Sequence, residues 1–198
     1  MKYLVVSDTH GSIGKVLEIY RAGGGDAIYD GIIHLGDYAR DAENIEEELG
    51  CEVIGVLGNC DGDYGSGDFK VLDTEAGRIL LTHGHGQRVK MTYMNLVYRA
   101  QELDCTAALF GHTHIPTYEE EGGIILLNPG SLTYPGDGSN GSYAILDIEG
   151  DELNAAIRYY DPAVLKRNLQ GSNTSSSAGS AKVKGGHLRD LLNYSDRF

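Results

Sequence analysis

The sequence predicts an α/β layered fold, on the evidence of its apolar runs and of what lies between them. Six short apolar runs rich in β-branched residues have the length and composition of strands buried on both faces; they are 3–6, 31–35, 53–57, 78–81, 107–110 and 124–127. The early runs alternate with helical segments. Hairpin-like strands at 142–148 and 153–160 follow later, and this mixture is typical of layered α/β domains.

Three helices are predicted between these strands. The first covers 12–22 and stops at three consecutive glycines, and the second covers 41–49, with Asp41 as its N-cap residue. The third covers 91–103. Its predicted core-facing side is formed by Met91, Met94, Val97 and Tyr98.

Charge divides the 198-residue chain into a domain at 1–162 and a tail at 163–198. The first part has 10 basic and 27 acidic side chains, and the second has 6 basic and 2 acidic. The tail opens with a short helix at 163–169, continues as a Gly/Ser linker at 171–186, and ends in a leucine-bearing segment at 187–198. We expect this tail to have no catalytic role and to be a candidate contact with a second subunit.

Composition argues against several classes of partner. The formal net charge of −13 repels nucleic acid and anionic membranes, so neither is expected to bind a broad face of the protein. No apolar stretch approaches the roughly 20 residues that a membrane helix needs. The three cysteines have no framework spacing, which favours a reducing, cytoplasmic location.

Each of the six apolar runs is followed by a polar cluster that contains glycine. Because the carboxyl ends of parallel strands share one sheet edge, these clusters can converge. They contain nine side chains able to bind metal or orient its ligands: Asp8, His10, Asp37, Asn59, Asp61, His83, His85, His112 and His114. Carboxylates and imidazoles without cysteine pairs favour Mn, Fe, Zn or similar ions. In D-x-H and H-x-H, alternate residues of an extended segment lie on the same side and can bind one ion.

Each of these residues also has a simpler interpretation when taken alone. Asp8 and Asp37 could be ordinary turn or capping residues, and Asn59 could merely tolerate left-handed backbone geometry. Their occurrence in one ordered series favours metal binding over these local roles. His34 lies inside an apolar strand and is interpreted as a core histidine with satisfied hydrogen bonds.

The series D-x-H, G-D, G-N-x-D, H-G-H and G-H-T-H resembles the calcineurin-like metallophosphoesterase superfamily, in particular its small bacterial and archaeal phosphodiesterases. The resemblance covers about residues 1–160 and implies a four-layer α/β/β/α sandwich of two mixed sheets. It implies one metal ion held by Asp8, His10 and His114. A second ion would be held by Asn59, His83 and His112. Asp37 would bridge the two ions, for which Mn²⁺ is expected and Zn²⁺, Fe²⁺ or Ni²⁺ are alternatives.

The function implied by the resemblance is hydrolysis of small phosphodiesters by in-line attack of a metal-bridging hydroxide. Asp37, Asn59 and His112 are the expected catalytic residues. The alternative is a binding scaffold that kept the fold and lost catalysis. A scaffold should show substituted ligands, and all seven expected positions hold ligand residues. A nuclease is disfavoured because the chain has no basic stripe.

Three further residues of these clusters are expected to assist the metal site. Asp61 is expected to orient a neighbouring imidazole, as metal-binding histidines usually require. His85 could face the substrate or anchor its own loop, and the sequence leaves both open. Cys60 stands where many members of the superfamily have a histidine after the asparagine. We interpret this cysteine as a replacement that weakens general-acid help to the leaving group.

Overall fold

The computed structural model describes residues 1–62 and 69–171, which form ten strands and four α-helices. The strands are β1 (Lys2–Val6), β2 (Gly31–His34), β3 (Val53–Gly55), β4 (Phe69–Thr74), β5 (Gly77–Thr82), β6 (Cys105–Leu109), β7 (Thr117–Glu121), β8 (Ile124–Asn128), β9 (Ser142–Glu149) and β10 (Glu152–Tyr159). The helices are α1 (Gly14–Ala22), α2 (Ala39–Leu49), α3 (Met94–Glu102) and α4 (Pro162–Gly171).

The strands form two five-stranded mixed sheets. The first has the order β10-β9-β1-β2-β3, in which β1, β2 and β3 are parallel. The second has the order β4-β5-β6-β8-β7, in which β5, β6 and β8 are parallel. Antiparallel strands lie at the margins of both sheets. The parallel centres bring the strand ends that carry the polar clusters to one edge of each sheet.

Alternate residues of each central strand pack into different layers. Val5 of β1 and Leu81 of β5 belong to the core between the two sheets, whereas Leu4 contacts the residues of α1 and α2. In the second sheet Leu80 packs toward α3. This period-two pattern produces the order helix, sheet, sheet, helix. The predicted four-layer sandwich of two mixed sheets is confirmed.

Two details of the predicted helices are wrong. Helix α2 begins at Ala39, so Asp41 is not its N-cap residue; its carboxylate is buried and accepts hydrogen bonds from elsewhere in the chain. Helix α3 begins at Met94, and the preceding Met91 is 82% exposed. The buried side of α3 consists of Leu96, Val97 and Ala100. Met91 does not face the core because it lies in the loop before α3. Tyr98 does not face the core because it lies at the exposed margin of the helix.

Strands β4 and β7 were not predicted. Lys70 and Asp73 interrupt the apolar residues of β4, and β7 is polar apart from Tyr118. At the C-terminal end, helix α4 packs Leu165 into the core beside α1. The Gly/Ser linker beyond Gly171 and the segment 187–198 lie outside the described residues, so a separate tail domain stays a prediction.

Candidate metal centre

The predicted metal ligands lie in the turns after five of the central strands. Asp8 follows β1, Asp37 follows β2 and Asn59 follows β3. In the facing sheet His83 follows β5, and the turn after β6 contributes His112 and His114. Because the two sheets pack face to face with these ends on the same side, the structure brings turns from both sheets together.

One cluster consists of Asp8, His10, Asp37 and His114. One ligand atom from each of these four residues lies within 4.8 Å of the corresponding atoms of the other three. Nε2 of His114 is 3.1 Å from Oδ1 of Asp8 and 3.3 Å from Nε2 of His10. Asp8 and Asp37 are almost completely buried. Four ligand atoms therefore converge on one small volume.

A second cluster lies on the other side of Asp37. Nε2 of His83 is 3.3 Å from Oδ1 of Asp37 and 3.1 Å from Oδ1 of Asn59. The ring of His112 contacts that of His83, with centroids 5.0 Å apart. Nε2 of His10 in the first cluster is 3.8 Å from the other carboxylate oxygen of Asp37, Oδ2. Asp37 therefore presents one oxygen to each cluster.

In both clusters the Nε2 atom of a histidine ring lies close to a carboxylate oxygen. Nδ1 of His114 lies 2.8 Å from the carbonyl oxygen of Tyr134, and Nδ1 of His83 lies 2.8 Å from that of Leu35. A carbonyl only accepts, so each Nδ1 carries the proton and each neutral ring directs a lone pair on Nε2 at a carboxylate. With His114 in this tautomer, the buried Oδ1 of Asp8 has no hydrogen-bond donor among the residues that the structure describes. A cation between such atoms satisfies them, so the donor set fits divalent metal ions.

In the metal-free protein a proton can take the place of one cation. The hydrogen bond to Asp8 raises the pKa of His114, in spite of the burial of the ring. Burial raises the pKa of Asp8, but hydrogen bonds from His114 and Ser7 lower it, and the pKa is lowered overall. Burial is the main cause that lowers the pKa of His112 to about 4. His112 is therefore neutral near pH 7 and keeps a lone pair for metal binding.

The ligand turns have strained backbone geometry. Five of the seven predicted ligands have left-handed φ angles between 47° and 67°; they are Asp8, His10, Asp37, His112 and His114. Such conformations cost about 1–3 kcal/mol each and persist only where the surrounding structure imposes them. The turn at Gly58 shows the constraint, because a Cβ there would overlap the backbone nitrogen of Asp37. The fold holds these side chains in positions that their local preferences disfavour.

A buried hydrogen-bonded chain connects two of the ligand turns. Thr9 donates its hydroxyl proton to Asp41 (2.6 Å) and lies 2.8 Å from Nε2 of His34, which must therefore donate to it. Nδ1 of His34 accepts from the amide of Gly36, next to Asp37. The amide of Gly11 also donates to Asp41. His34 is thus a core histidine with satisfied hydrogen bonds, as predicted, and it also supports the site.

The turn at 128–131 supports the site as well. Asn128 donates to the carbonyl of Gly111 (2.8 Å), beside His112, and Ser131 donates to the carbonyl of Asp8 (2.9 Å). Both side chains are fully buried. Thr9 and Asp41 were not identified as site-supporting residues from sequence. Only the position of Thr9 between the predicted ligands Asp8 and His10 could have indicated its role.

The three residues expected to assist the site have different surroundings. Asp61 accepts hydrogen bonds from the backbone amides of Ala39 (2.6 Å) and Gly58 (2.7 Å), so the expected contact with an imidazole is wrong. By accepting from both amides, this carboxylate links the start of α2 to the turn that contains Asn59. His85 is exposed and lies with Nδ1 3.3 Å from Nε2 of His112.

Cys60 lies against the carboxylate of Asp37. Its amide donates to Oδ1 of Asp37 (3.0 Å) and its thiol donates to Oδ2 (3.3 Å). Burial, and then the hydrogen bond to Asp37, raise the pKa of the thiol to about 11. In the metal-free protein Cys60 is therefore a neutral thiol that helps to orient the central carboxylate.

Comparison with known proteins identifies the family. The sequence-family model of the calcineurin-like phosphoesterase superfamily domain matches residues 1–151 of this chain. The probable metallophosphoesterase YsnB of Bacillus subtilis is 38% identical over 166 residues, which cover 82% of this chain and 92% of YsnB. The phosphodiesterase YfcE of Escherichia coli K12 is 29% identical over 191 residues, which cover 83% and 96% of the two chains.

A solved structure supports the same assignment. A Streptococcus pneumoniae protein described as a predicted phosphoesterase has a TM-score of 0.65 and 29% identity, covering 80% of this chain and 88% of the other. None of the described helices has the length and apolar character needed to cross a bilayer. The chain belongs to the calcineurin-like phosphoesterase superfamily and is a metal-dependent phosphoesterase.

Proposed function

We propose that this protein is a phosphodiesterase that uses two divalent metal ions, with Mn²⁺ as the expected metal. One ion would be held by Asp8, His10 and His114, and the other by Asn59, His83 and His112. The observation that supports this most strongly is the position of Asp37, whose two oxygens face different clusters of lone pairs. Two such ions, when bound, lower the pKa of water and neutralise charge that develops on the phosphoryl oxygens.

The chain itself contributes orientation, burial and local charge. The carbonyls of Leu35 and Tyr134 set the tautomers of His83 and His114, so that both Nε2 atoms face inward. Burial of Asp8 and Asp37 keeps water away from the ligand oxygens. Since bound cations reverse the local field, an acidic protein can accept an anionic diester here.

Four further parts of the interpretation remain predictions. The substrate is expected to be a small phosphodiester, as the name of the relative YfcE suggests. A scaffold without catalysis is the alternative, and the complete ligand set weighs against it. Contact with a second subunit through the tail and a reducing, cytoplasmic location are expected from sequence. The free cysteines at 51, 60 and 105 agree with the latter.

The test is metal content together with turnover of bis(p-nitrophenyl) phosphate. The wild-type protein loaded with Mn²⁺ should contain about two ions per chain and hydrolyse the diester. Asp37→Ala should lose at least one ion and nearly all turnover. Asp151→Ala removes an exposed aspartate in the β9–β10 turn and should change neither property. Normal metal content and turnover in Asp37→Ala would disprove the assignment.

A further inference from the structure

The loop at 84–91, between β5 and α3, presents two cations beside the metal centre. Val89 is 3% exposed and packs in the core with Leu96 and Phe110, whereas Arg88 and Lys90 on either side of it are exposed. Gly84 has a φ of 95°, and a Cβ there would lie 2.9 Å from Val89. The buried valine therefore fixes the loop in a conformation that directs both basic residues outward.

These two residues line a cavity that adjoins the metal centre. The cavity has a volume of about 440 Å³ and is lined by His85, Gly86, Arg88, Lys90, Met91 and His112. One lining residue, His112, belongs to the second cluster. Another, His85, contacts the ring of His112. A substrate bound at the metals can therefore extend into this cavity.

The charge in this cavity differs from that of the protein as a whole. The chain has a net charge of −13, yet two cations lie here. Among residues 1–62 and 69–171, neither Arg88 nor Lys90 forms an ion pair with a carboxylate. Their charges are available to an anion.

The opposite side of the site has a different character. The rings of Tyr38 and Tyr134 flank His10, with centroid distances of 5.5 and 5.3 Å, and their side chains are 45% and 59% exposed. Such aromatic surface suits an uncharged ring of the substrate. The two ends of the site therefore favour different substituents on the reacting phosphorus.

We propose that Arg88 and Lys90 bind a second phosphate group of the substrate, so that the preferred substrates are phosphodiesters carrying an additional phosphate. The forked guanidinium and the ammonium group together match the charge and the acceptor geometry of a phosphate. This inference rests on the proposed function, because it assigns a substrate class to the same metal centre.

The test compares two substrates with the same reacting centre. One is the p-nitrophenyl ester of thymidine 5′-phosphate, and the other carries an additional free 3′-phosphate. We expect wild-type kcat/KM to be about tenfold higher for the second, which is the size of a charged hydrogen-bonded contact at an accessible site. In Arg88→Gln/Lys90→Gln the ratio should fall close to one. The control Lys166→Gln/Arg167→Gln removes the same charge from exposed positions of α4 and should keep the wild-type ratio.

A binding measurement separates failure of this inference from failure of the proposed function. Thymidine 3′,5′-bisphosphate should bind wild-type protein about tenfold more tightly than Arg88→Gln/Lys90→Gln, by calorimetry on Mn²⁺-loaded samples. If wild-type protein hydrolyses neither ester but this difference remains, the proposed function fails and the phosphate subsite stands. Equal affinities, or an unchanged substrate ratio in the double variant, would overturn the subsite.

Discussion

Asp37 lies between the two ligand clusters, and Cys60 contacts both of its carboxylate oxygens. The thiol and amide of Cys60 both donate to its carboxylate. A neutral thiol in this position helps to orient the carboxylate but is a poor proton donor to a departing alkoxide. We therefore expect Cys60 to give the leaving group only weak general-acid help.

Leaving-group dependence tests this view of Cys60. We expect kcat/KM for a series of aryl diesters to fall steeply as the pKa of the leaving group rises, because protonation by an acid is typically worth about 10²–10⁴-fold and is weak here. Cys60→Ala should keep most activity on the best leaving group, and Cys60→His should flatten the slope. Loss of all turnover in Cys60→Ala with both metals bound would instead give Cys60 a direct catalytic role.

His34 provides a prediction about stability and pH. Burial lowers its pKa in the folded state below the unfolded value of about 6.5, so the unfolded chain takes up a proton first as pH falls. The contribution of this residue to stability is therefore complete above about pH 6.5 and declines below it, by up to about 1.4 kcal/mol per pH unit. In His34→Gln this contribution disappears, so its stability should decline less between pH 6.5 and 5 than that of the wild type. Urea unfolding of both metal-free proteins measures this, and parallel curves would contradict the interpretation.

At the scale of single elements, the turns carry the chemistry and the strands hold them in place. Asp8, Asp37 and His114 have left-handed backbone conformations in the turns that follow β1, β2 and β6, and nearly all residues of these strands are buried. Asn128 and Ser131 then hold these turns through carbonyl groups. A strained turn keeps its geometry because rigid elements on both sides leave it no alternative.

Helix α4 is expected to matter for stability and the chain beyond it is not expected to matter for turnover. Leu165→Ala should lower the free energy of unfolding by about 2 kcal/mol, since this side chain is 6% exposed in the core beside α1. Denaturant unfolding measures this effect.

Truncation after Gly171 should leave hydrolysis of a small diester nearly unchanged. Steady-state rates measure this effect, and a large loss of turnover in the truncated protein would refute the prediction.

For the whole molecule, the metals should contribute to stability as well as to activity. The folded chain gathers acceptor atoms from both sheets at one place, and cations that bind only this state stabilise it by mass action. Metal at about 100 times its dissociation constant adds about 2.7 kcal/mol per site, or roughly 5–10 °C in Tm for a domain of this size. Treatment with a chelator should therefore lower Tm and remove activity, and Mn²⁺ should restore both. Asp37→Ala should show a much smaller Tm response, and an equal response would contradict this role.

The sequence by itself determined the fold class, the family and the residues expected to bind metal. Buried parallel strands appear in the sequence as continuous apolar runs. A site for two metal ions requires particular residue types at short spacings. Both features are therefore visible in the sequence itself. Edge strands β4 and β7 were missed because polar residues interrupt β4 and dominate β7, so neither contains a continuous apolar run.

Only the tertiary structure decided how these residues act on one another. Asp61 contacts amides from α2 and the Asn59 turn, and the chain from Asp41 through Thr9 to His34 joins segments more than 20 residues apart. Arg88 and Lys90 line one cavity beside the metal centre, while Val89 between them is buried in the core. Such contacts depend on the packing of two sheets against each other, and packing over long sequence distances leaves no periodic signal in the chain.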